Sequence, residues 1–268
     1  MEHELEEIKG TVIEFYTAET QVDVLPPPVP SVKMMPAWWY NASRHVGNEW
    51  EEGSPAPSPT TFKQCQPFTD VLRTGYMIPL WQDFSYGNVS PNSDIPQIEI
   101  DWGQGRYPFP SDAARGMELD TPIAHKDWDS WAEIEGVKEG IIPNASFSFT
   151  NPWIIRTPPG YSCLFTAPIN GEDPRIRLFS GIVHTDTYFN AVNFFFGMRK
   201  EAPPHGILKK GMPLVQVIPF KREEWTSVVK PIKLGSPEFN HRINVITEIS
   251  SVITGAYKSQ HGCPVVFK

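Results

Sequence analysis

The sequence predicts a mainly β chain of the α+β kind, a distorted sandwich or barrel-like body preceded by a proline-rich arm and closed by one helix. Three observations carry this. Proline is abundant, 28 of 268 residues, against an ordinary share of roughly 5%. A residue that lacks an N–H and breaks helix interiors leaves little room for long helices. Phe, Trp and Tyr make up 12% of the chain, which suits strands better than helices. From Ala145 onward apolar and polar residues alternate in short runs divided by Pro and Gly, the pattern of half-buried strands joined by turns. With 40% hydrophobic and 20% charged residues, the chain can bury a full core, so disorder is excluded for the bulk of it.

Residues 1–60 read as the arm. Thr11 to Tyr16 is rich in β-formers and reads as a short strand. Leu25-Pro26-Pro27-Pro28-Val29-Pro30 favours extended polyproline geometry. It is either a rigid connector or a peptide docked on a neighbouring subunit. Trp38 and Trp39 follow a proline; two adjacent side chains of one strand cannot both face one core. One is expected to clamp the arm onto the body and the other to cover a groove or interface. Residues 51–60 are acidic, then rich in Ser and Pro, and read as an exposed loop.

Residues 61–235 read as the β-rich body. Tyr76 to Phe84 and Gln97 to Trp102 are strand candidates. Between 103 and 143 the pattern is weak, with short turns or one short helix near Trp131 to Lys138. Pro67, Phe68, Ile78, Leu80 and Trp81 look like core, whereas Arg73 and Asp83 are single charges without an evident partner. Phe147 and Phe149 alternate with Ser146 and Ser148, and strands are expected at 153–156, 161–166, 176–186, 191–198 and 214–221. Residues 236–268 form the C-terminal piece. Ser236-Pro237-Glu238 supplies an N-cap, a proline at the first helical position and an acid in the first turn. Phe239, Ile243, Ile246, Ile249 and Ile253 recur at helical spacing, a stripe expected to pack as core, and Gly255 or Gly262 would stop the helix.

The formal net charge is −8, which excludes a general nucleic-acid coat. The charge is uneven: residues 1–150 carry 9 basic and 23 acidic side chains, residues 151–268 carry 14 and 8. Either the second half meets an anion such as phosphate, or the two halves pack with complementary surfaces. Arg156, Arg175 and Arg177 could line such an anion site or simply face water. Cys65, Cys163 and Cys263 are odd in number and widely spaced, which makes neither a disulfide framework nor a zinc motif. The acidic start, Met1-Glu2-His3-Glu4, lacks the basic region and apolar core of a signal peptide. No apolar run approaches the roughly 20 residues of a membrane span. A cytoplasmic protein without a membrane role is therefore expected, and sequons at Asn41, Asn88 and Asn144 are coincidental on that reading.

Three segments stand in an informative order: Pro158-Pro159-Gly160-Tyr161 leading to Ala167-Pro168, then Ser180-Gly181-Ile182-Val183-His184-Thr185-Asp186-Thr187-Tyr188, then Leu208-Lys209-Lys210-Gly211-Met212-Pro213-Leu214-Val215-Gln216. Together they resemble the β-clip core of the dUTPase and dCTP-deaminase superfamily, over about residues 150–220. The chain also resembles, more closely, a group of uncharacterised tailed-phage proteins, through Lys33 to Trp38, Cys65 to Trp81 and Val215 to Trp225. That second resemblance implies a viral origin, hence host cytoplasm or virion, and no activity.

The departures set the functional expectation. Where the first family carries the carboxylate that orients and deprotonates water, this chain has His184, with Asp186 two residues on. Where the family grips phosphate with an Arg-Ser pair after the proline, Ile169 and Asn170 stand. The glycine-rich phosphate lid is missing, and one residue is inserted before Tyr188, the counterpart of the sugar-stacking tyrosine. Phosphoryl transfer depends on positioning and electrostatics, so the fold is expected to be kept and the chemistry lost. The first expectation is a non-catalytic structural or interaction protein without a cofactor or metal, acting as a homo-oligomer; the resemblance implies a trimer. Three alternatives stay open. One is a protein that binds or sequesters a nucleotide through Tyr188, Asn193, Gln216 and Arg156. Another is a rearranged pyrophosphatase with Asp186 as base and Mg²⁺ held through phosphates. The last is an iron oxygenase built on His184-Thr185-Asp186 with His205 or His241.

Overall fold

The computed structural model describes residues 8, 10–46, 61–88, 98–101, 139–251 and 267. It is mainly β, with antiparallel strands in open sheets and few helices. The chain divides into two compact units. The first takes the chain up to Met34 together with Gly75–Arg222; the second takes Met35–Thr74 and the chain from Glu223 on. The sequence reading had placed its boundaries at 60 and 235.

In the first unit, β1 (Glu14–Tyr16) pairs with β7 (Ile154–Arg156). A five-stranded antiparallel sheet runs in the order β10 (Gly181–Val183), β8 (Tyr161–Thr166), β13 (Pro213–Lys221), β3 (Tyr76–Pro79), β2 (Val29–Pro30). A second sheet has the order β6 (Ile141–Thr150), β11 (Asn193–Arg199), β9 (Ile176–Leu178), and a third the order β12 (His205–Leu208), β4 (Phe84–Asn88), β5 (Ile98–Asp101). Alternation explains the core. Along β11, Phe194, Phe196 and Met198 point inward and are buried, every second residue, as the pleat requires. Phe196 sits opposite Phe147 on β6, ring centroids 5.5 Å apart. Cys163 and Phe165 of β8 with Val215 and Val217 of β13 supply the facing side, and Phe165 meets Phe194 at 5.8 Å.

Several strands are shorter than expected. Residues 76–84 do not form one strand: β3 ends at Pro79 and β4 starts at Phe84. The Leu80 N–H donates to Met212 O and Leu80 O accepts from Gly211 N–H, so the chain turns there against the loop before β13. Residues 176–186 split into β9 and β10, which join different sheets. The run at 97–102 is β5, Ile98–Asp101. β12 was not anticipated. The last two residues of the polyproline run, Val29 and Pro30, pair with Met77 and Tyr76 of their own chain. The expected loop at 51–60, the helix near 131–138, Cys263 and the helix stops at Gly255 and Gly262 lie outside the described residues.

The second unit holds the helices. Trp38 and Trp39 lie on the short helix α1 (Ala37–Asn41), not a strand; Trp39 is buried and Trp38 exposed. Helix α2 (Gln66–Arg73) was not anticipated; Pro67, read from the sequence as core, occupies its first turn, where no N–H is needed. Met35, Trp39 and Leu72 are buried together, with Phe68 packed on them; Pro67 is exposed. Helix α3 (Pro237–Ser251) forms where its cap predicts, and the Phe239 N–H donates to Ser236 Oγ. Of its stripe, Ile243 and Ile246 are exposed and Phe239 is half-buried, unlike the core expected there; the Ile249 side chain and Ile253 lie outside the described residues. Between β13 and α3 the chain carries no regular structure until a turn at 234–235. Trp225 is 86% exposed, Val229 98% and Leu234 87%, with Val228 and Ile232 also exposed.

Candidate functional site

Two of the segments that stood out in the sequence, Pro158-Pro159-Gly160-Tyr161 and Ser180 to Tyr188, meet at one corner of the five-stranded sheet; the third, Leu208 to Gln216, lies toward the other end of β13. Pro158-Pro159-Gly160-Tyr161 forms a turn in which the Tyr161 N–H donates to Pro158 O at 3.2 Å. Gly160 takes φ +85° there, and Pro followed by Gly at the two central positions is what a type II turn favours. β8 leaves this turn and pairs with β10 on one side and β13 on the other. Residues 184–188 follow β10, and Arg222 follows β13.

Arg222 organises the corner. Its N–H donates to Gly160 O at 2.8 Å. Its Nη1 donates to Tyr161 O (2.8 Å), Ser162 Oγ (2.9 Å) and Asp186 Oδ1 (2.9 Å), and its Nη2 donates to Asp186 Oδ2. Asp186 Oδ2 also accepts from the Gly160 N–H at 2.9 Å. Both carboxylate oxygens are thus engaged, and the Asp186 side chain is only 5% exposed. The Arg222 guanidinium, helped by the Gly160 N–H and opposed by burial, holds the Asp186 carboxyl below the ordinary carboxylate value.

Ser162 and His184 form a second pair, Oγ to Nδ1 at 2.8 Å. Ser162 is fully buried and its oxygen already accepts from Arg222. Its own proton therefore goes to Nδ1, since a buried hydroxyl proton without an acceptor is costly. With Nδ1 as the acceptor, the neutral imidazole carries its proton on Nε2. A buried serine in this arrangement ties strands together rather than presenting a nucleophile. Behind it, Thr157 and Thr185 join hydroxyls at 2.7 Å, and Thr185 donates to Cys163 Sγ at 3.4 Å. Burial pushes the Cys163 thiol up to about 11.

The remaining candidate residues are dispersed. Tyr188 lies on the exposed turn after His184, its hydroxyl donating to Ala191 O at 3.4 Å. Asn193 begins β11 and is exposed. Gln216 is buried in mid-β13, where Oε1 accepts from the Ile169 N–H at 2.9 Å. Arg156 on β7 pairs with Glu14 at 3.4 Å. His205 sits on β12, and His241 on α3 in the second unit. Among the described residues no group of three His, Cys, Asp or Glu is arranged to hold a metal ion, and both oxygens of Asp186 face Arg222.

The basic side chains of the first unit's second half are committed close by. Arg175 grips Asp173 through Nε and Nη2, at 2.8 and 2.7 Å. Arg199 meets Glu172 at 2.7 Å. Arg177 donates to Glu139 O and lies over the Phe179 ring, 5.4 Å from its centroid. Asp83, which had no evident partner in the sequence, accepts from Lys209 Nζ at 2.8 Å and from the Lys210 N–H at 2.7 Å. Of these ion pairs, Arg175–Asp173 and Arg199–Glu172 lie within residues 151–268, and Lys209–Asp83 joins the acidic half of the sequence to the basic one. Sequence reasoning missed Arg222 and Ser162; the signal was that Arg222 lies within Val215 to Trp225 and Ser162 follows Pro158-Pro159-Gly160-Tyr161 directly, both segments already singled out.

No family model matches the chain, and no curated protein does. Among solved structures, a mutant dUTPase from phage phi11 of S. aureus is similar over 34% of this chain and 73% of that one, at 12% identity and a TM-score of 0.23. A likeness at that score carries no argument about activity. No helix among the described residues is long and apolar enough to cross a membrane.

Proposed function

We propose that this chain is a non-catalytic structural or interaction protein, a β-clip type of body that works as a homo-oligomer. One observation carries the reading: Asp186, the residue placed to act as a base, has both oxygens held by Arg222 and the Gly160 N–H. A general base must be free to accept a proton from water within hydrogen-bond reach. A carboxylate whose lone pairs are taken by a guanidinium fork is a poor base and a good strut. At this corner the start of β8 and the ends of β10 and β13 are stitched to one another. The apolar side chains from Trp225 to Leu234 favour interaction as the alternative role, since monomers seldom leave such runs in water.

Two measurements on the purified full chain test this. Incubation with dUTP or dCTP and Mg²⁺ is expected to release no pyrophosphate above a protein-free control, and turnover would overturn the non-catalytic part. Size-exclusion chromatography with light scattering is expected to give a multiple of 30.3 kDa. A strict monomer over a wide concentration range would remove the oligomer. Nucleotide titration followed by thermal unfolding addresses the binding alternative: ligand at about 100 times its dissociation constant adds about 2.7 kcal/mol, and no shift is expected.

A further inference from the structure

We propose that the Asn170-Gly171 peptide, in the turn between β8 and β9, is a site of self-modification: it converts to aspartate and isoaspartate through a cyclic imide, and Gln216 restrains the conversion by holding the turn shut. The co-reactant is water. The product belongs to the substrate class of methyltransferases that act on isoaspartyl carboxylates.

Sequence and geometry together single out this peptide. Asparagine is among the labile side chains, and of all the asparagines in the chain Asn170 alone is followed by glycine. Glycine has no Cβ to obstruct an approach to its backbone nitrogen. Asn170 is exposed, and among the described residues nothing hydrogen-bonds its side-chain amide. It is also the one non-glycine residue among those described with a left-handed backbone, φ +57°, a region most side chains avoid and asparagine tolerates. The turn closes with the Gly171 N–H donating to Pro168 O at 2.9 Å. From the central strand of the five-stranded sheet, the buried Gln216 Oε1 accepts the Ile169 N–H, also at 2.9 Å. While both bonds hold, the Gly171 nitrogen keeps its proton and its place. The reaction therefore starts from the opened turn, and the Gln216 bond acts on its rate without touching the reacting atoms.

The step balances with water alone. The Gly171 nitrogen loses its proton to hydroxide and attacks Cγ of Asn170. The new N–Cγ bond closes the imide, the Cγ–Nδ2 bond breaks, and Nδ2 takes a proton from water and leaves as ammonia. Water then adds to one of the two imide carbonyls. Opening at one side gives aspartate at position 170; opening at the other gives isoaspartate, with one methylene more in the main chain. Either product adds a negative charge beside Glu172 and Asp173. Glu172 meets Arg199 at the end of β11, and Asp173 grips Arg175, whose Nη1 donates to Ile207 O of β12. The modification thus falls on the contacts that tie this turn to β11 and β12.

The test follows the full chain in warm, mildly alkaline buffer by tryptic digestion and mass spectrometry, with a zero-time sample as background. Cleavage after Arg156 and Arg175 yields a peptide in which Asn170 is the only Asn or Gln, so the exchange of an amide for a carboxyl is located without ambiguity. Asn190 and Asn193, both exposed and followed by Ala and Phe, are the internal comparison. Asn170 is expected to convert roughly tenfold faster than either, and Gly171→Ala to slow it by a similar factor. The converted chain is expected to accept methyl groups from an isoaspartyl methyltransferase. Conversion no faster than at Asn190 and Asn193, or indifferent to Gly171→Ala, overturns the site. In guanidinium chloride the wild type is expected to convert several-fold faster than when folded, and Gln216→Met to fall between the two. Equal rates in the folded and unfolded wild type overturn the restraint. So does an unchanged rate in a Gln216→Met chain whose circular dichroism is native. Should that variant misfold, the folded and unfolded wild type alone decide.

Discussion

Arg222 meets Asp186 through both guanidinium nitrogens, at 2.9 Å for Nη1 to Oδ1, and so joins the end of β13 to the turn that follows β10. The pair sets an acid limit on stability. The Asp186 carboxyl is held low by Arg222 in the folded chain, whereas in the unfolded chain it titrates near the ordinary value of about 3.9. A depressed carboxylate contributes stability that is whole above the unfolded value and lost as pH falls through the folded one. The unfolding midpoint is therefore expected to owe no slope to Asp186 between pH 5 and 8 and to fall below about pH 4. Asp186→Asn should lower the midpoint at pH 7 by a few degrees and flatten the acid limb. An unchanged acid limb, read by circular dichroism, would show that the pair contributes nothing.

Ser162 links Arg222 to His184, and Ser162→Ala removes both hydrogen bonds, while Nη1 of Arg222 keeps Tyr161 O and Asp186 Oδ1. The expected cost is about 0.5–1.5 kcal/mol, the net worth of an ordinary hydrogen bond, measured by urea unfolding. In the wild type, ¹⁵N spectra of the imidazole should show the Nε2–H tautomer of His184. In the variant that preference should relax.

Cys163 is buried, with its thiol pushed up to about 11, while Cys65 is exposed. In a chain carrying Cys65→Ser and Cys263→Ser, a thiol reagent at pH 8 should label nothing until denaturant is added, because the thiolate is the reacting form. Prompt labelling in the native state would contradict the packing of β8.

Gly75 lies between α2 and β3 at φ +75°, and a Cβ there would stand 2.1 Å from Val217 O. Gly75→Ala combines a disfavoured backbone region with a clash against the main chain of the central strand. It is expected to cost about 3–5 kcal/mol, at the upper end for single substitutions. Gly160→Ala meets nothing within 4 Å and should cost less, which separates the clash from the backbone term.

The parts of the fold that the sequence made legible are those where burial alternates cleanly. β11 shows Phe194, Phe196 and Met198 on one side, and β8 and β13 lie between turn-forming Pro and Gly. The misreadings share a physical origin. Residues 176–186 look like one run because Phe179-Ser180 carries no Pro or Gly, yet the chain changes sheets there, and a sheet change is a tertiary choice. α2 is short, eight residues from Gln66 to Arg73, and Pro67 with Phe68 read as core instead of as the first turn of a helix. At the candidate site, His184 and Asp186 were visible as a pattern. The guanidinium that decides the role of Asp186 comes from 36 residues further along, and periodicity has no means of predicting such a contact.

The five-stranded sheet ends at Val29–Pro30. Sheets grow by hydrogen bonding at their margins, and a proline there offers no N–H to an incoming chain. A two-residue strand ending in proline makes that flank a poor template for the end-on stacking that leads to fibres.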